Sequence, residues 1–169
     1  MPLGLAAGRP HTDPMTQRVD LATVMDRLAI DEVVSGYAAA VDDGDWDGYR
    51  ALFTPSGRAD YRSAGGVEGP AAEVADWLAR TMTLFPVRQH LIVNRLIRLD
   101  VTDGAPGDTA RVRADFLNPM RLADAASDPA VTAPNFVAAG RYAFALARTR
   151  DGWRLAGVTV HEKWRHLAG

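Results

Sequence analysis

The change of hydrophobic period at Pro86 is the feature that most constrains how this chain of 169 residues can fold. Before Pro86, apolar residues recur every three or four positions, which is the spacing of helices that bury one face. After it, runs rich in β-branched and aliphatic residues are separated by Gly- and Asp-containing turns, which is typical of antiparallel strands. Helices followed by strands predict an α+β fold, with the helices packed on one side of a curved sheet.

The first half of the sequence predicts three helices joined by turns. The longest begins at Val19 and stops at the turn-forming segment 42–45, whose last residue, Asp45, can cap the next helix. In chain order we expect a helix over 19–41, a short helix over 46–53, a turn at 54–57, a short strand at 58–62 and a third helix that opens at Gly69-Pro70.

The second half predicts a meander of long antiparallel strands. An Asp-Gly pair at 151–152 is a strong signal for a tight hairpin between the last two strands. We expect strands over 87–101, 109–120, 135–149 and 153–166, a hairpin connection at 103–108 and a polar loop at about 124–134. Residues 1–18 contain Pro and Gly without apolar periodicity and predict a disordered leader, and 19–169 predict a single domain.

Composition excludes several classes of function. The 19 basic and 21 acidic residues give a net charge of −2, which lacks the basic excess of a nucleic-acid-binding protein. The chain has no Cys, so disulfides and thiolate metal sites are excluded. No apolar run approaches the ~20 residues of a membrane span, and we expect a cytoplasmic protein without a membrane partner. Phosphate-binding, dinucleotide-binding and zinc-protease motifs are missing, which favours cofactor-free catalysis or simple small-molecule binding.

Tyr37 and Asp42 lie near the end of the predicted long helix. Five positions correspond to about 500° of helical rotation, so both side chains reach one pocket only if the helix ends near Asp42 and the chain bends. Otherwise Tyr37 is a core residue with its hydroxyl at the edge, and Asp42 is a turn former.

His90 lies at the start of the first long predicted strand. Strand alternation places His90, Ile92 and Asn94 on one face. A buried imidazole must be hydrogen-bonded, and beside a carboxylate it would be poised near neutral pH as a general base. A hydrogen-bonded core histidine without a chemical role is the alternative.

The later strands hold further polar candidates. Arg113 and Asp115 share one face of the strand that also carries Asn118, and that face is either solvated or lines a cavity. His161 and His166 are expected on opposite faces of the last strand, which disfavours a metal site and favours a solvated strand.

Residues spread over almost the whole predicted domain match the pattern of a known family. They are Tyr37, Asp42, Asp45-Trp46, Tyr49, Leu52-Phe53, Tyr61, Gly69, Gln89-His90, Asn94, Gly140-Arg141-Tyr142 and 148–155. From about Leu21 to Trp164 the chain resembles the SnoaL-like branch of the nuclear transport factor 2-like (NTF2-like) superfamily. The resemblance implies a cone: a curved, mostly antiparallel sheet closed by three helices.

The resemblance also implies roles for individual residues. Scytalone dehydratase and bile-acid 7α-dehydratase, members of this superfamily, use an Asp–His dyad that matches Asp42 and His90, with a Tyr that matches Tyr37. A second acidic residue, matched by Asp115, would protonate a leaving hydroxyl. Residues expected to bind substrate are Tyr61, Trp77, Asn94, Arg113 and Asn118.

These roles predict a cofactor-independent, metal-free lyase, isomerase or cyclase. His90 would remove a proton next to a carbonyl of an apolar, steroid- or polyketide-like ring substrate. The alternative is a non-catalytic binding or assembly protein, similar to the β subunit of ring-hydroxylating dioxygenases.

The strands from 135 to 166 carry apolar residues on both faces. One face can line the cone, so the other is expected to need a partner. A homo-oligomer built through the sheet is predicted, a trimer by analogy with the dehydratases or else a dimer.

Overall fold

The computed structural model describes residues 21–102, 105–123 and 128–168. The helices are α1 (Leu21–Asp43), α2 (Trp46–Ala51) and α3 (Ala71–Thr81), and short 3₁₀ turns occupy Arg62–Ala64 and Met82–Leu84. The strands are β1 (Phe53–Asp60), β2 (Glu68–Pro70), β3 (Val87–Arg88), β4 (Leu91–Thr102), β5 (Ala105–Arg121), β6 (Phe136–Thr149) and β7 (Gly152–Leu167). The α+β fold is therefore confirmed. The predicted leader at 1–18 lies outside the described residues.

Within the described ranges, seven strands form one curved, unclosed sheet in the order β2-β1-β7-β6-β5. Strands β3 and β4 follow one another along the free edge of β5. The β1–β7 pairing is parallel and the others are antiparallel. The tight turn predicted at 151–152 is present, with Gly152 at φ +96°, where glycine carries no steric penalty.

The start and end of the helices follow from short-range chemistry. Gly44, at φ +70°, ends α1 because a left-handed residue cannot continue the helix. The Asp45 side chain then accepts a hydrogen bond from the Gly48 N–H at 2.8 Å and caps α2, as predicted. Helix α1 buries a stripe formed by Ile30, Val34, Tyr37 and Val41.

The core lies between the helices and the concave face of the sheet. Even-numbered residues of β5 and β6 point inward, among them Phe116, Tyr142 and Phe144, and odd-numbered residues point outward. This confirms the expected separation of the two faces of β6. In the described part of the chain, no helix is long and apolar enough to cross a membrane.

Two local predictions in the first half are wrong. Residues 54–57, expected to form a turn, belong to β1. Phe53 pairs with Leu155 of β7 and Arg58 pairs with Gly157, so five steps along β1 match two steps along β7. Turn-forming residues therefore make a bulge inside a strand rather than ending it. Arg62, expected in the strand, begins a 3₁₀ turn.

Candidate functional site

A cavity of about 340 Å³ opens between the concave face of the sheet and the helices. Its walls are mainly apolar and aromatic, and include Trp77, Phe85 and Phe116. The polar residues that line it include His90, Asn118, Glu162, Arg165 and the tyrosines Tyr37, Tyr61 and Tyr142. An apolar cavity with a few converging polar groups is the usual form of a small-molecule site.

The Asp42 carboxylate holds His90 through two hydrogen bonds. His90 Nδ1 lies 2.6 Å from Asp42 Oδ1, and the His90 backbone N–H donates to Asp42 Oδ2 at 2.9 Å. The two residues are 48 positions apart in sequence, so this contact is a product of the tertiary fold. The His90 side chain is 8% exposed and that of Asp42 is 22% exposed. The predicted contact between the two side chains is present.

An interruption between β3 and β4 makes this contact possible. Arg88 lies opposite Met120, and Leu91 lies opposite Leu117. Strands β3 and β4 therefore pair with β5 in the same register. Residues 89–90 are not part of either strand. The backbone N–H of His90 is thus available to Asp42 rather than to a neighbouring strand.

Arg88 fastens the end of α1 beside the site. Its Nε donates to the carbonyl oxygens of Val41 and Asp42, each at 3.0 Å. Its Nη1 donates to the carbonyl oxygens of Met82 and Phe85 at 3.0 and 3.3 Å. One guanidinium therefore satisfies carbonyls of two segments and fixes the backbone from which the Asp42 side chain projects.

All four tyrosines of the chain converge in the core beside the cavity. The Tyr61 hydroxyl contacts that of Tyr37 and lies 3.4 Å from that of Tyr49. The Tyr142 ring packs edge-on against Tyr37 at 5.5 Å between centroids. Burial raises the pKa of Tyr37 and Tyr61 well above the usual value and raises the pKa of Tyr142 to about 12. These hydroxyls therefore stay protonated at neutral pH and can donate hydrogen bonds.

Asn118 is a cross-strand neighbour of His90. The shared register of β3 and β4 on β5 places the two residues opposite one another, and both line the cavity. Asn118 lines the same cavity as Tyr142. Its Oδ1 has no partner among the described residues, although the residue is only 4% exposed.

The arrangement is suited to proton transfer. When a neutral His90 imidazole donates Nδ1–H to Asp42, Nε2 is the ring nitrogen that can accept a proton. A base, neutral hydroxyl donors and an apolar wall then surround the same space. Over the described ranges, no three His, Asp or Glu side chains are grouped to hold a metal ion.

Three predicted site residues lie on the other side of the sheet. Asp115 Oδ1 accepts from Arg141 Nε at 2.9 Å, and Asn94 Nδ2 donates to Asp115 Oδ2 at 3.3 Å. These two bonds, that from Asn94 first, hold the pKa of Asp115 below its usual value. Arg113 lies on the same outer face. The roles expected for Asp115, Arg113 and Asn94 inside the cavity are therefore wrong.

A bulge in β4 explains the position of Asn94. The pairing with β5 skips from Val93 to Leu96, and Asn94 takes φ +52°. The extra residue breaks the alternation, so Asn94 turns outward while Arg95 turns toward α1 and donates to Asp31 Oδ1 at 2.7 Å. The expectation that Asn94 shares the face of His90 is wrong for this reason.

A bulge in β7 changes the faces of the sheet on which the last residues of this strand lie. Gly140 pairs with Glu162 but Ala139 pairs with Trp164, so one residue is extra. Glu162 and Arg165, three apart, therefore both reach the rim of the cavity and are joined by a 2.6 Å ion pair. The same shift pairs His161 with Arg141 and His166 with Val137, which puts both histidines on the outer face, against the prediction.

Of the predicted residues, the cavity brings together Tyr37, Tyr61, Trp77, His90 and Asn118, with Asp42 directly behind His90. Sequence reasoning missed Arg88, Glu162 and Arg165 as parts of the site. It named Tyr142 within the family pattern but gave it no role in the site. The alternation along β6 was the available signal for Tyr142, since it shares a face with Ala138, a cavity residue.

The cone-shaped α+β fold with an internal pocket defines a protein of the NTF2-like class. Residues 22–159 match the family described as the SnoaL-like domain, and the chain belongs to this family. The resemblance deduced from the sequence is confirmed.

Proteins from Mycobacterium tuberculosis, Kribbella flavida and Novosphingobium barchaimii are similar to this chain in sequence or in fold. The Mycobacterium tuberculosis protein Rv2910c is 32% identical over 138 residues, which cover 81% of this chain and 85% of the relative. Kfla4162 from Kribbella flavida has a TM-score of 0.71 at 23% identity, covering 85% and 94% of the two chains. Hexachlorocyclohexane dehydrochlorinase LinA-type3 from Novosphingobium barchaimii has a TM-score of 0.70 at 16% identity, covering 89% and 95%. The two structures establish similarity of fold.

Proposed function

We propose that this protein is a cofactor-independent lyase or isomerase that removes a proton next to a carbonyl of an apolar ring substrate. The observation that carries the proposal is the His90–Asp42 pair at the wall of an apolar cavity that tyrosines also line. A base in water-poor surroundings and neutral donors near it are what enolate formation requires.

Asp42 acts on His90 rather than on substrate. Its 2.6 Å bond to Nδ1 selects the tautomer with Nε2 free, and its charge stabilises the imidazolium formed when Nε2 takes a proton. The bond from the His90 backbone N–H to the second oxygen fixes the carboxylate against rotation.

Tyrosine hydroxyls supply the electrophilic side. Tyr37 and Tyr61 both line the cavity, and their hydroxyls contact one another. A hydroxyl aimed at the substrate carbonyl gains strength as negative charge develops on its oxygen. The raised pKa values of both groups keep them in the donating form.

The proton taken by His90 has two possible destinations. Since Asp115 lies outside the cavity, the imidazolium itself is the acid beside the substrate. Returning the proton to a leaving group on the neighbouring carbon completes an elimination, and returning it to another carbon completes an isomerisation. Both outcomes need neither metal nor cofactor.

The size and lining of the cavity favour a compact ring system. About 340 Å³ is near the lower end of the roughly 300–1,000 Å³ of ligand pockets. LinA-type3, a dehydrochlorinase by name, shares this fold. A small polyketide- or steroid-like ring compound remains our proposed substrate.

The outer face supports a homo-oligomer, either trimer or dimer. Leu91, Leu117, Ala139 and Trp164 form one row across four neighbouring strand segments of that face. Leu91, Leu117 and Trp164 are 39%, 40% and 51% exposed, which is unusual for a row of large apolar side chains. Light scattering at micromolar concentration is expected to give an oligomer, and a monomer would contradict this.

Solvent exchange into a simple cyclic ketone tests the proposed chemistry without knowledge of the substrate. The protein is expected to accelerate deuterium incorporation next to the carbonyl of cyclohexanone in D₂O, followed by NMR. Because a positioned general base contributes roughly 10²–10⁴-fold, His90→Ala should lose about 10³-fold of this acceleration. His166→Ala, on the outer face, is the matched control and should keep it. A non-catalytic protein would show no acceleration in either form.

A further inference from the structure

The outer face of the sheet carries a second depression, on the opposite side from the cavity that His90 lines. Its volume is about 420 Å³. Small residues of β6 and β7 form its floor: Ala143, Ala145 and Gly157. Arginines of β4 and β5 form one wall: Arg98, Arg111 and Arg113. We call this depression the arginine groove.

The three arginines of the groove repel one another. Arg98 and Arg111 lie directly opposite one another in the β4–β5 pair, and Arg113 follows on the same face of β5. Like charges directly opposite one another in a sheet are destabilising. All three residues are exposed, and no hydrogen bond or ion pair engages their guanidinium groups within residues 21–102, 105–123 and 128–168. The protein therefore maintains a concentrated positive charge at this place.

The acidic residues nearest to the arginines along β4 and β5 are already engaged. Asp115, the next outward-facing residue of β5, forms a 2.8 Å ion pair with Arg141. Asp100, near the end of β4, accepts a hydrogen bond from Thr109 at 2.5 Å. These carboxylates therefore do not neutralise the groove.

The acidic residues beyond the floor of the groove are also paired. On β1 and β2, Asp60 forms an ion pair with Arg62 at 2.7 Å, and Glu68 forms one with Arg58 at 2.5 Å. A second copy of this chain that presented the same face would therefore bring carboxylates that are already neutralised. The free negative charge that the groove lacks is left for a ligand to supply.

The chemistry of the groove favours a phosphate attached to a flat organic group. Guanidinium groups bind phosphate and carboxylate through paired hydrogen bonds, and three cations match a phosphate dianion better than a single carboxylate. A Cβ added to Gly157 would approach one described atom, the Arg58 carbonyl oxygen, at 3.7 Å, which is ordinary van der Waals contact. The space above Gly157 is thus open, and a planar ring can lie along the floor beside the Thr159 side chain.

We propose that the arginine groove is a second ligand site that binds a small organic phosphate. Arg98, Arg111 and Arg113 hold the phosphate, and a flat ring lies over Ala145 and Gly157. Because the groove and the His90 cavity lie on opposite faces of the sheet, this site does not depend on the proposed function. The bound dianion removes the repulsion among the arginines, so the ligand stabilises the folded protein.

Three probes separate the phosphate from the ring. AMP carries both, ribose 5-phosphate lacks the flat base, and adenosine lacks the phosphate. Isothermal titration calorimetry at low salt should show AMP binding more tightly than ribose 5-phosphate, and no binding of adenosine. Equal affinity for AMP and adenosine, or no binding of either phosphate, would overturn the proposal.

Variants of the groove test where the probe binds. Because hydrogen bonds to charged groups are the strong ones, Arg111→Gln should weaken AMP binding about tenfold or more. Arg150→Gln removes the same charge from the exposed turn between β6 and β7, outside the groove, and should bind AMP as the wild type does. Gly157→Leu fills the floor and should weaken binding of AMP more than binding of ribose 5-phosphate. Equal affinities in the wild type and Arg111→Gln, or equal losses in Arg111→Gln and Arg150→Gln, would overturn the proposal.

Two further measurements separate this site from the alternatives. Arg111→Gln relieves the repulsion from Arg98, so without ligand it should be at least as resistant to urea as the wild type, and AMP should no longer stabilise it. His90→Ala should bind AMP as the wild type does, and loss of binding in that variant would place the probe in the cavity and overturn the proposal. A lower molar mass of Arg111→Gln in light scattering, with AMP binding unchanged, would make the groove an interface between copies and would also overturn it. The role of His90 as a base stands or falls separately, by the exchange assay.

Discussion

The two ends of helix α1 each present a carboxylate to the sheet, but in different surroundings. Near its start, Asp26 accepts from Arg148 Nη1 and Nη2 at 2.8 and 2.6 Å and from Trp153 Nε1 at 3.1 Å. At its end, Asp42 faces His90 beside a cavity. Arg148 is permanently charged, so the Asp26–Arg148 pair cannot exchange a proton near neutral pH and acts on the stability of the fold. An imidazole partner and adjoining space make the second pair capable of chemistry.

Asp42→Asn should produce the largest effect of these variants, and that effect should be a loss of activity. The amide cannot stabilise the imidazolium and does not favour the tautomer with Nε2 free. We expect α-proton exchange to drop by about 10²-fold or more, measured by NMR with cyclohexanone. Asp43→Asn, an exposed neighbour with the same change of charge, is the control. Equal losses in both variants would contradict the assignment.

Asp26→Asn should act on stability and leave catalysis by the folded protein intact. Removing one partner of this pair should lower the free energy of unfolding by about 2 kcal/mol, less than for a fully buried pair because Arg148 is partly exposed. Urea unfolding measures it. A variant with wild-type stability but impaired exchange would reverse the proposed division between the two ends of α1.

The pH dependence of stability sharpens the same comparison. Hydrogen bonds from Arg148 hold the pKa of Asp26 below its usual value in the folded protein. Its stabilising contribution is therefore complete above the unfolded-state pKa of about 4 and is lost as pH falls through the lower folded-state value. Between pH 5 and roughly pH 3, the wild-type protein should lose more stability than Asp26→Asn. Parallel curves for the two proteins would contradict this.

Asp115→Asn should give the smallest effect, because its ion pair with Arg141 lies on the partly solvated outer face. We expect only a small loss of stability on urea unfolding and a change of less than about twofold in exchange rate. The identical chemical change at Asp42 then shows how much the cavity contributes. A large loss of activity in Asp115→Asn would contradict the placement of Asp115 outside the catalytic site.

Periodicity predicted most of the fold. The switch at Pro86, the Asp45 cap and the 151–152 hairpin depend on local chemistry, which is readable from sequence. Bulges do not follow from periodicity. Those at 54–57, at Asn94 and in β7 depend on how neighbouring strands align, and each one changed which face nearby residues occupy.

The spacing of residues in the sequence did not predict which site residues meet in the fold, and only the family resemblance did so. Asp42 and His90 have no local reason to meet, and it was the resemblance that paired them. Assigning Asp115 by the same resemblance failed, because odd positions of β5 face outward. Arg88 was missed because its role is to bind backbone carbonyls, which leaves no side-chain pattern in the sequence.

Chemical rescue of a His90→Gly variant tests most directly whether His90 is the base. Removing the side chain leaves a space lined by the Asp42 carboxylate, into which free imidazole fits. The variant should exchange the α-protons of cyclohexanone slowly, and added imidazole should restore exchange in a saturable way, by more than it does in the double variant His90→Gly/Asp42→Asn. Wild-type exchange by His90→Gly without imidazole, or rescue that is linear and independent of Asp42, would contradict the account.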